Sequence, residues 1–422
     1  MGFRWTSGRR ALLLAPILVV VAAAVAAGYA VLHRNAAPRA PFVPRTVAVT
    51  AQPSLLTPSA EAPRAASTRV GALRPYEYVF PPGEIDVFDI DHAQRLVERM
   101  KTSLVGAVRG VVASPRTHSL YFAVGGDGDG NGTGSLVKID LLTNRVVWEK
   151  RFPTGVDSAA ITPDGRKLYL PTGEAASYDV WYVVDARTGR VTGEIHGGTS
   201  PHNTIVAPDG KHVYLAPRNA RYLVVADTRT DRVVRRIGPF RSGVRPFTID
   251  GAQRIAYVTT TGYLGFQVAS ISTGKVLYTE GFEGFGWDPK TFVPTAPSHG
   301  ISLSPDSRQL WVIDAPNSYV HVFDVSRVPA REPRPVADVK LAHRLAGQEV
   351  GCDYDCYRDG WLQHSLDGRF VYVGDSGDVI DTRTRRPVAF LAPLANTREM
   401  LEIDWRHGVP VATSTRSSVG YR

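Results

Sequence analysis

Cysteine is nearly missing from this chain: two residues among 422, Cys352 and Cys356. That excludes a disulfide-stapled scaffold and a four-cysteine zinc site. No C-x-x-C-H run occurs, which removes covalent haem attachment. A G-x-S-x-G elbow, an H-E-x-x-H helix and a G-x-x-x-x-G-K-[ST] phosphate loop are also missing, so no standard catalytic signature is present. A basic stripe is lacking too. The net charge is +9, yet residues 1–70 hold eight Arg against one acid, Glu61, which leaves about +2 for the other 352 residues. A nucleic-acid surface needs its cations on the folded domain, so no nucleic-acid partner is expected.

Long apolar runs are missing with one exception. Ala11–Leu32 is 22 residues without a charge, about 33 Å as a helix and enough to cross a hydrocarbon core. Arg4, Arg9 and Arg10 precede it, which puts residues 1–10 in the cytoplasm and the remainder outside. The run is longer than the apolar part of a signal peptide, although small residues at Ala22–Gly28 keep cleavage open. An anchor leaves the chain membrane-tethered; cleavage leaves it secreted. Residues 33–69 are rich in Ala, Pro, Ser and Thr without apolar periodicity. They read as a flexible or semi-extended tether, and the folded domain is expected over 70–422.

What fills that domain is one repeated pattern. An apolar strand runs into a Pro-Asp-Gly-like turn, then come a strand with an aromatic, a strand ending in Asp, a Thr-Gly-Arg-like turn and a fourth strand. The first turn recurs at Arg116, Asp164, Asp209, Asp250, Asp306 and Asp367. The spacings of 48, 45, 41, 56 and 61 residues suit four-stranded blades with growing insertions. Two fragments are left over. Residues 85–100 read as two outer strands and 400–414 as inner strands, so together they make a further blade. The expected fold is all-β: a seven-bladed β-propeller whose termini share one blade, closing the ring and removing open sheet edges, preceded by one transmembrane helix.

Strands such as AYVTT, VYLAP, LYLPT and LWVID, each after a PDG-like turn, resemble the YVTN repeats of bacterial YncE-like propellers. The resemblance covers about residues 70–414. It implies a shape of the quinoprotein amine dehydrogenase β-chain type and no particular activity.

The residue before each innermost strand of a propeller sits at the mouth of its central channel. Aligning the repeats puts Arg109, Asp157, His202, Arg245 (with Phe247 near the same level), His299, Asp359 (or Gly360) and Glu399 there. Three readings stay open. His202 and His299, with Asp157 or Glu399, are able to hold a divalent metal such as zinc, copper, iron or nickel. Arg and His side chains are equally able to grip an anionic small molecule or sugar acid, with a His or carboxylate as general base. The plain reading is a polar plug of mutually paired side chains. His364, inside its strand, reads as core or channel wall and less readily as a third ligand. Trp361, Phe247 and Trp287 form either an aromatic lip or blade packing.

Two loop motifs remain. Cys352 and Cys356, four apart on an exported chain, suggest a small disulfide loop, with half a metal site as the rival. Asp127, Asp129 and Asn131 open like a calcium loop, but Lys138 stands where a bidentate Glu is needed. The expected function is therefore a tethered module that binds an extracytoplasmic small molecule, glycan or protein at the channel mouth. The alternative is a metal-dependent enzyme, a lyase on acidic sugars or an oxidoreductase, using His202 and His299 as ligands and Asp157 or Glu399 as catalytic acid/base.

Overall fold

The computed structural model describes residues 56–58, 72–102, 108–125, 133–174, 177–292, 294–350 and 357–414. All lie in the larger of two units, 44–422. The expected span Ala11–Leu32, the calcium-like motif at Asp127, Asp129 and Asn131, and both cysteines lie outside these residues. Among the described residues no helix is long and apolar enough to cross a membrane.

Seven antiparallel sheets follow one another along the chain. Blade 1 is shared by the termini. Blade 2 begins at Val108–Ser114, blade 3 at Ala160–Ile161, blade 4 at Pro201–Val206, blade 5 at Val244–Ile249, blade 6 at Ile301–Leu303 and blade 7 at Trp361–His364. The innermost strands neighbour one another in that order, and Met400–Arg406 of blade 1 lies beside Val108–Ser114. Val79 and Met400 of blade 1 pack against Trp361 and Tyr372 of blade 7, which closes the ring.

Burial explains why inner and outer strands differ in sequence. Val244–Ile249 and Ile255–Thr260 are buried at every position, because neighbouring blades cover both faces, and their sequences VRPFTI and IAYVTT lack the apolar–polar alternation of a half-exposed strand. The outermost strand of the same blade, Val276–Gly281, alternates half-buried with exposed. The core lies between blades. Tyr78, Val87 and Leu401 of blade 1 pack against Val111 and Phe122 of blade 2. Ile205 and Tyr214 of blade 4 pack against Phe247 and Val258 of blade 5.

The repeated turns use their carboxylates locally. Asp164 accepts from Thr162 Oγ1 at 2.6 Å and from the Arg166 amide at 3.1 Å. Gly165 there has φ +71°, a conformation that favours glycine. These aspartates are turn chemistry and not site chemistry.

Blade 1 departs from expectation. The N-terminal part supplies three of its strands. Arg74–Val79 pairs with Met400–Arg406, from Arg74 opposite Trp405 to Val79 opposite Met400, and Glu84–Asp89 and Arg95–Thr102 follow outward. Residues 400–414 therefore give one ring strand and not the inner pair. Val409–Thr413 bonds to Met400–Arg406 on the side away from Arg74–Val79. The segment expected as tether also contributes, since Leu56–Pro58 pairs with Arg95–Thr102 at the outer edge.

Candidate functional site

The ring positions lie at or just before the starts of the innermost strands. The imidazoles of His202 and His299, two blades apart, have centroids only 6.0 Å apart. The side chains meet there in two ionic groups.

The first group centres on Asp157 and Glu174. Asp157 is buried, and its Oδ1 accepts from the Ser158 amide at 2.6 Å and Ser158 Oγ at 3.0 Å. Its Oδ2 receives Arg109 Nη2 at 3.1 Å and lies 2.9 Å from His202 Nδ1. Glu174 Oε1 lies 2.9 Å from Arg109 Nη2 and 3.3 Å from His202 Nδ1, while its Oε2 is ion-paired to Arg218. Burial pushes the Glu174 carboxyl up, but His202, Arg218 and Arg109 outweigh it and hold the group below the usual carboxylate range. Burial pulls His202 down, against the opposing pull of Asp157 and Glu174.

The second group centres on Arg398. This buried guanidinium donates to Asp359 Oδ1 at 2.7 Å, to Glu349 Oε1 at 3.4 Å and to the Tyr357 carbonyl at 2.8 Å, and lies 3.7 Å from Asp375 Oδ2. Burial works against its charge, but Asp359, Asp375 and Glu349 outweigh that and raise its pKa. Asp359 is pushed up to about 6 by burial, with Arg398 opposing. Burial, and then Asp375, pushes Glu349 well above the usual range. His299 joins this group: its Nδ1 is 3.2 Å from the Gly360 carbonyl and 3.3 Å from Asp359 Oδ1, and its ring meets Trp361 edge-on.

Between the groups stands Arg245, only 4% exposed. Its Nη2 donates to Thr295 Oγ1 at 2.7 Å, and its Nε is buried with no hydrogen-bond partner. Among the described residues no carboxylate comes within ion-pair distance of it, whereas Arg109, Arg218 and Arg398 all have one. Burial lowers its pKa to about 10, Arg218 adds to that, and Glu174 and Asp359 attract it only from further away. It remains a cation at pH 7 without an anion beside it. Such a charge costs several kcal/mol unless something compensates it.

The sequence-derived ring positions therefore come together, with additions. Arg109, Asp157 and His202 form one group; His299 and Asp359 join the other. The buried Glu399 has its amide on Thr397 Oγ1, its carbonyl receives the Phe80 amide, and its charge is felt by Glu349. Gly360 adopts φ +83°. Phe247 belongs to the blade 4–blade 5 core, Trp361 is wholly buried, and the half-buried Trp287 bonds the Phe292 carbonyl, so these three form no lip. His364 is buried on Ser302 Oγ at 2.8 Å and pulled down to about 3 by burial.

Glu174, Arg218, Asp375, Glu349 and Arg398 were not foreseen. The first three follow the second strand of their blades, ending at Pro171, Pro217 and Gly374. Arg218 and Asp375 come directly after those strands and Glu174 three residues after, so counting one residue past each strand end reaches the first two and not Glu174. For metal binding, Asp157, Glu174 and His202 bring ligand atoms within 4.8 Å of one another, and His299 is not of that group. Both carboxylates already serve arginines.

The site is held by close backbone contact. A Cβ on Gly243, two residues before Arg245, would run into the carbonyl oxygen of Arg218. Gly243→Ala is expected to destabilise the domain by about 1–3 kcal/mol, the usual overpacking range, and to displace Arg218. A lowered urea midpoint with unchanged slope checks this.

No known protein-family profile matches the chain, and no curated protein matches it in sequence. Among solved structures it is similar to Kuenenia stuttgartiensis hydrazine synthase, with 20% identity and a TM-score of 0.47. That alignment covers 67% of this chain and 78% of the other.

Proposed function

We propose that this protein is a membrane-tethered, extracytoplasmic propeller that binds a small anion at the mouth of its ring. The fold is a common interaction scaffold, and its strands resemble those of YncE-like propellers. The tether rests on the apolar run Ala11–Leu32 after three arginines. One observation carries the binding: Arg245, a buried guanidinium with a hydroxyl partner and, among the described residues, no carboxylate within ion-pair distance. The other arginines at the mouth are neutralised by the protein itself. Arg245 is the one whose counter-charge has to come from outside, and a carboxylate matches its planar fork of N–H donors.

A metal at Asp157, Glu174 and His202 is the competing reading, favoured by the closeness of their ligand atoms. It would require Arg109 and Arg218 to be displaced from both carboxylates. Calorimetric titration of the full chain with a panel of small carboxylates separates the readings. Saturable binding that Arg245→Met abolishes supports the anion site. Stoichiometric metal lost on His202→Ala, without carboxylate binding, supports the metal site. Arg245→Met is also expected to leave stability equal or higher, because it removes a buried, unpaired charge.

A further inference from the structure

His202 and Arg245 occupy the same place in adjacent blades, each the second residue of its innermost strand, Pro201–Val206 and Val244–Ile249. The Arg245 charge is felt at the His202 ring. Arg245 offers only donors. His202 offers the opposite. Its Nδ1 faces two carboxylate oxygens, Asp157 Oδ2 at 2.9 Å and Glu174 Oε1 at 3.3 Å, so Nδ1 carries the ring's proton. Its Nε2 is then a lone-pair acceptor, and it is buried with no hydrogen-bond partner. A buried polar atom without a partner is uncommon in a folded protein and calls for one.

A plain anion does not satisfy this pair. Its oxygens suit Arg245 but meet the Nε2 lone pair with like polarity. A doubly charged anion is further disfavoured by Glu174 and Asp157, whose side chains flank the same imidazole. What satisfies both atoms is a monoanion bearing an O–H. We infer that the ligand is a hydroxy carboxylate, of the α-hydroxy acid or sugar acid class, whose carboxylate lies on Arg245 and whose hydroxyl donates to His202 Nε2. This inference rests on Arg245 being the anion receptor. It adds that His202 is the specificity-determining residue, positioned by Asp157, which the Ser158 amide and hydroxyl hold in turn.

The test uses two matched pairs of probes on the purified full chain: glycolate against acetate, and lactate against propionate. Each pair differs by one hydroxyl. Wild type is expected to bind the hydroxy acid about tenfold or more tightly, since the des-hydroxy analogue leaves a buried acceptor unpaired. His202→Phe is expected to bring each pair to near-equal affinity while still binding acetate; His202→Gln, which retains an acceptor, is expected to keep part of the preference. Equal affinities within both pairs in wild type would overturn the inference and leave the anion site standing. A preference that survives in His202→Phe would overturn the assignment to His202. No binding of any of the four acids would overturn the anion site as well.

Discussion

Arg398→Met is expected to lower the stability of the domain by about 3–5 kcal/mol, the range for breaking a buried ion pair by removing one partner. The arginine is the cation shared by Asp359, Glu349 and Asp375, and it also takes the Tyr357 carbonyl. Without it three buried carboxylates lose the arginine they share, and among the described residues only the His299 imidazole remains within ion-pair distance, at Asp359. The same chemical change at Arg245, a few side chains away, is expected to do the opposite, because no carboxylate is left behind. Urea unfolding of the two variants side by side checks the contrast. A large loss in both would mean that Arg245 is a structural cation after all.

The second large effect concerns pH and the seam where the ring closes. Glu77 and Glu402 stand directly opposite each other on paired strands, both buried, with Asp404 two residues along. Glu77 Oε2 and Asp404 Oδ1 have no hydrogen-bond partner, the Glu402 and Asp404 carboxyls bond each other, and no cation lies within ion-pair distance among the described residues. The neighbours offer little: Gln363 Nε2 reaches Glu77 Oε1 at 3.4 Å, and the Leu366 amide donates to Glu402 Oε2 at 2.6 Å. Tyr372 of blade 7 feels both glutamates; Asp367 and Asp91 add negative charge beside Asp404. Burial pushes Glu77 well above the usual range, and burial together with Glu77 does the same to Glu402.

A carboxyl with a raised folded-state pKa stabilises fully below its unfolded pKa, and that contribution is lost as pH rises through the folded value. Stability is therefore expected to decline on the alkaline side. Glu174 has the opposite sign. Its lowered pKa gives a contribution present above the unfolded value and lost in acid, as pH falls through the folded value. Glu402→Gln is expected to flatten only the alkaline limb and to add about 1–3 kcal/mol at pH 8, by removing a buried carboxylate that has no cation beside it among the described residues. Melting temperatures from pH 4 to 9 measure both limbs. An unchanged alkaline slope in Glu402→Gln would refute the account of the seam.

The seam also shows where sequence reading reaches its limit. Six blades are legible because each repeats one turn in which Asp or Ser chemistry closes the loop, as at Asp164, Asp306 and Asp367. Arg74–Val79 has no such turn before it, is framed by prolines, and carries a glutamate at a fully buried position. Its pairing with Met400–Arg406 joins residues more than three hundred apart, and no local pattern encodes that. The site was half legible for a related reason. Inner-strand starts share a register with their turns, so Arg109, Asp157, His202 and His299 follow by counting, and Arg245 falls near the same level in the shorter fifth repeat. Glu349 and Arg398 lie on irregular segments beside blade 7, where counting has no fixed origin. Burial of Phe247 and Trp361 depends on the neighbouring blade and is invisible along one strand.

The central claim is that Arg245 takes its counter-charge from a bound anion. A crystal structure of the full chain grown with glycolate tests it most directly. The account predicts density for the acid, with its carboxylate within hydrogen-bond distance of the Arg245 guanidinium and its hydroxyl on His202 Nε2. Ordered water alone around Arg245, or a carboxylate of the protein swung onto it, would contradict the account.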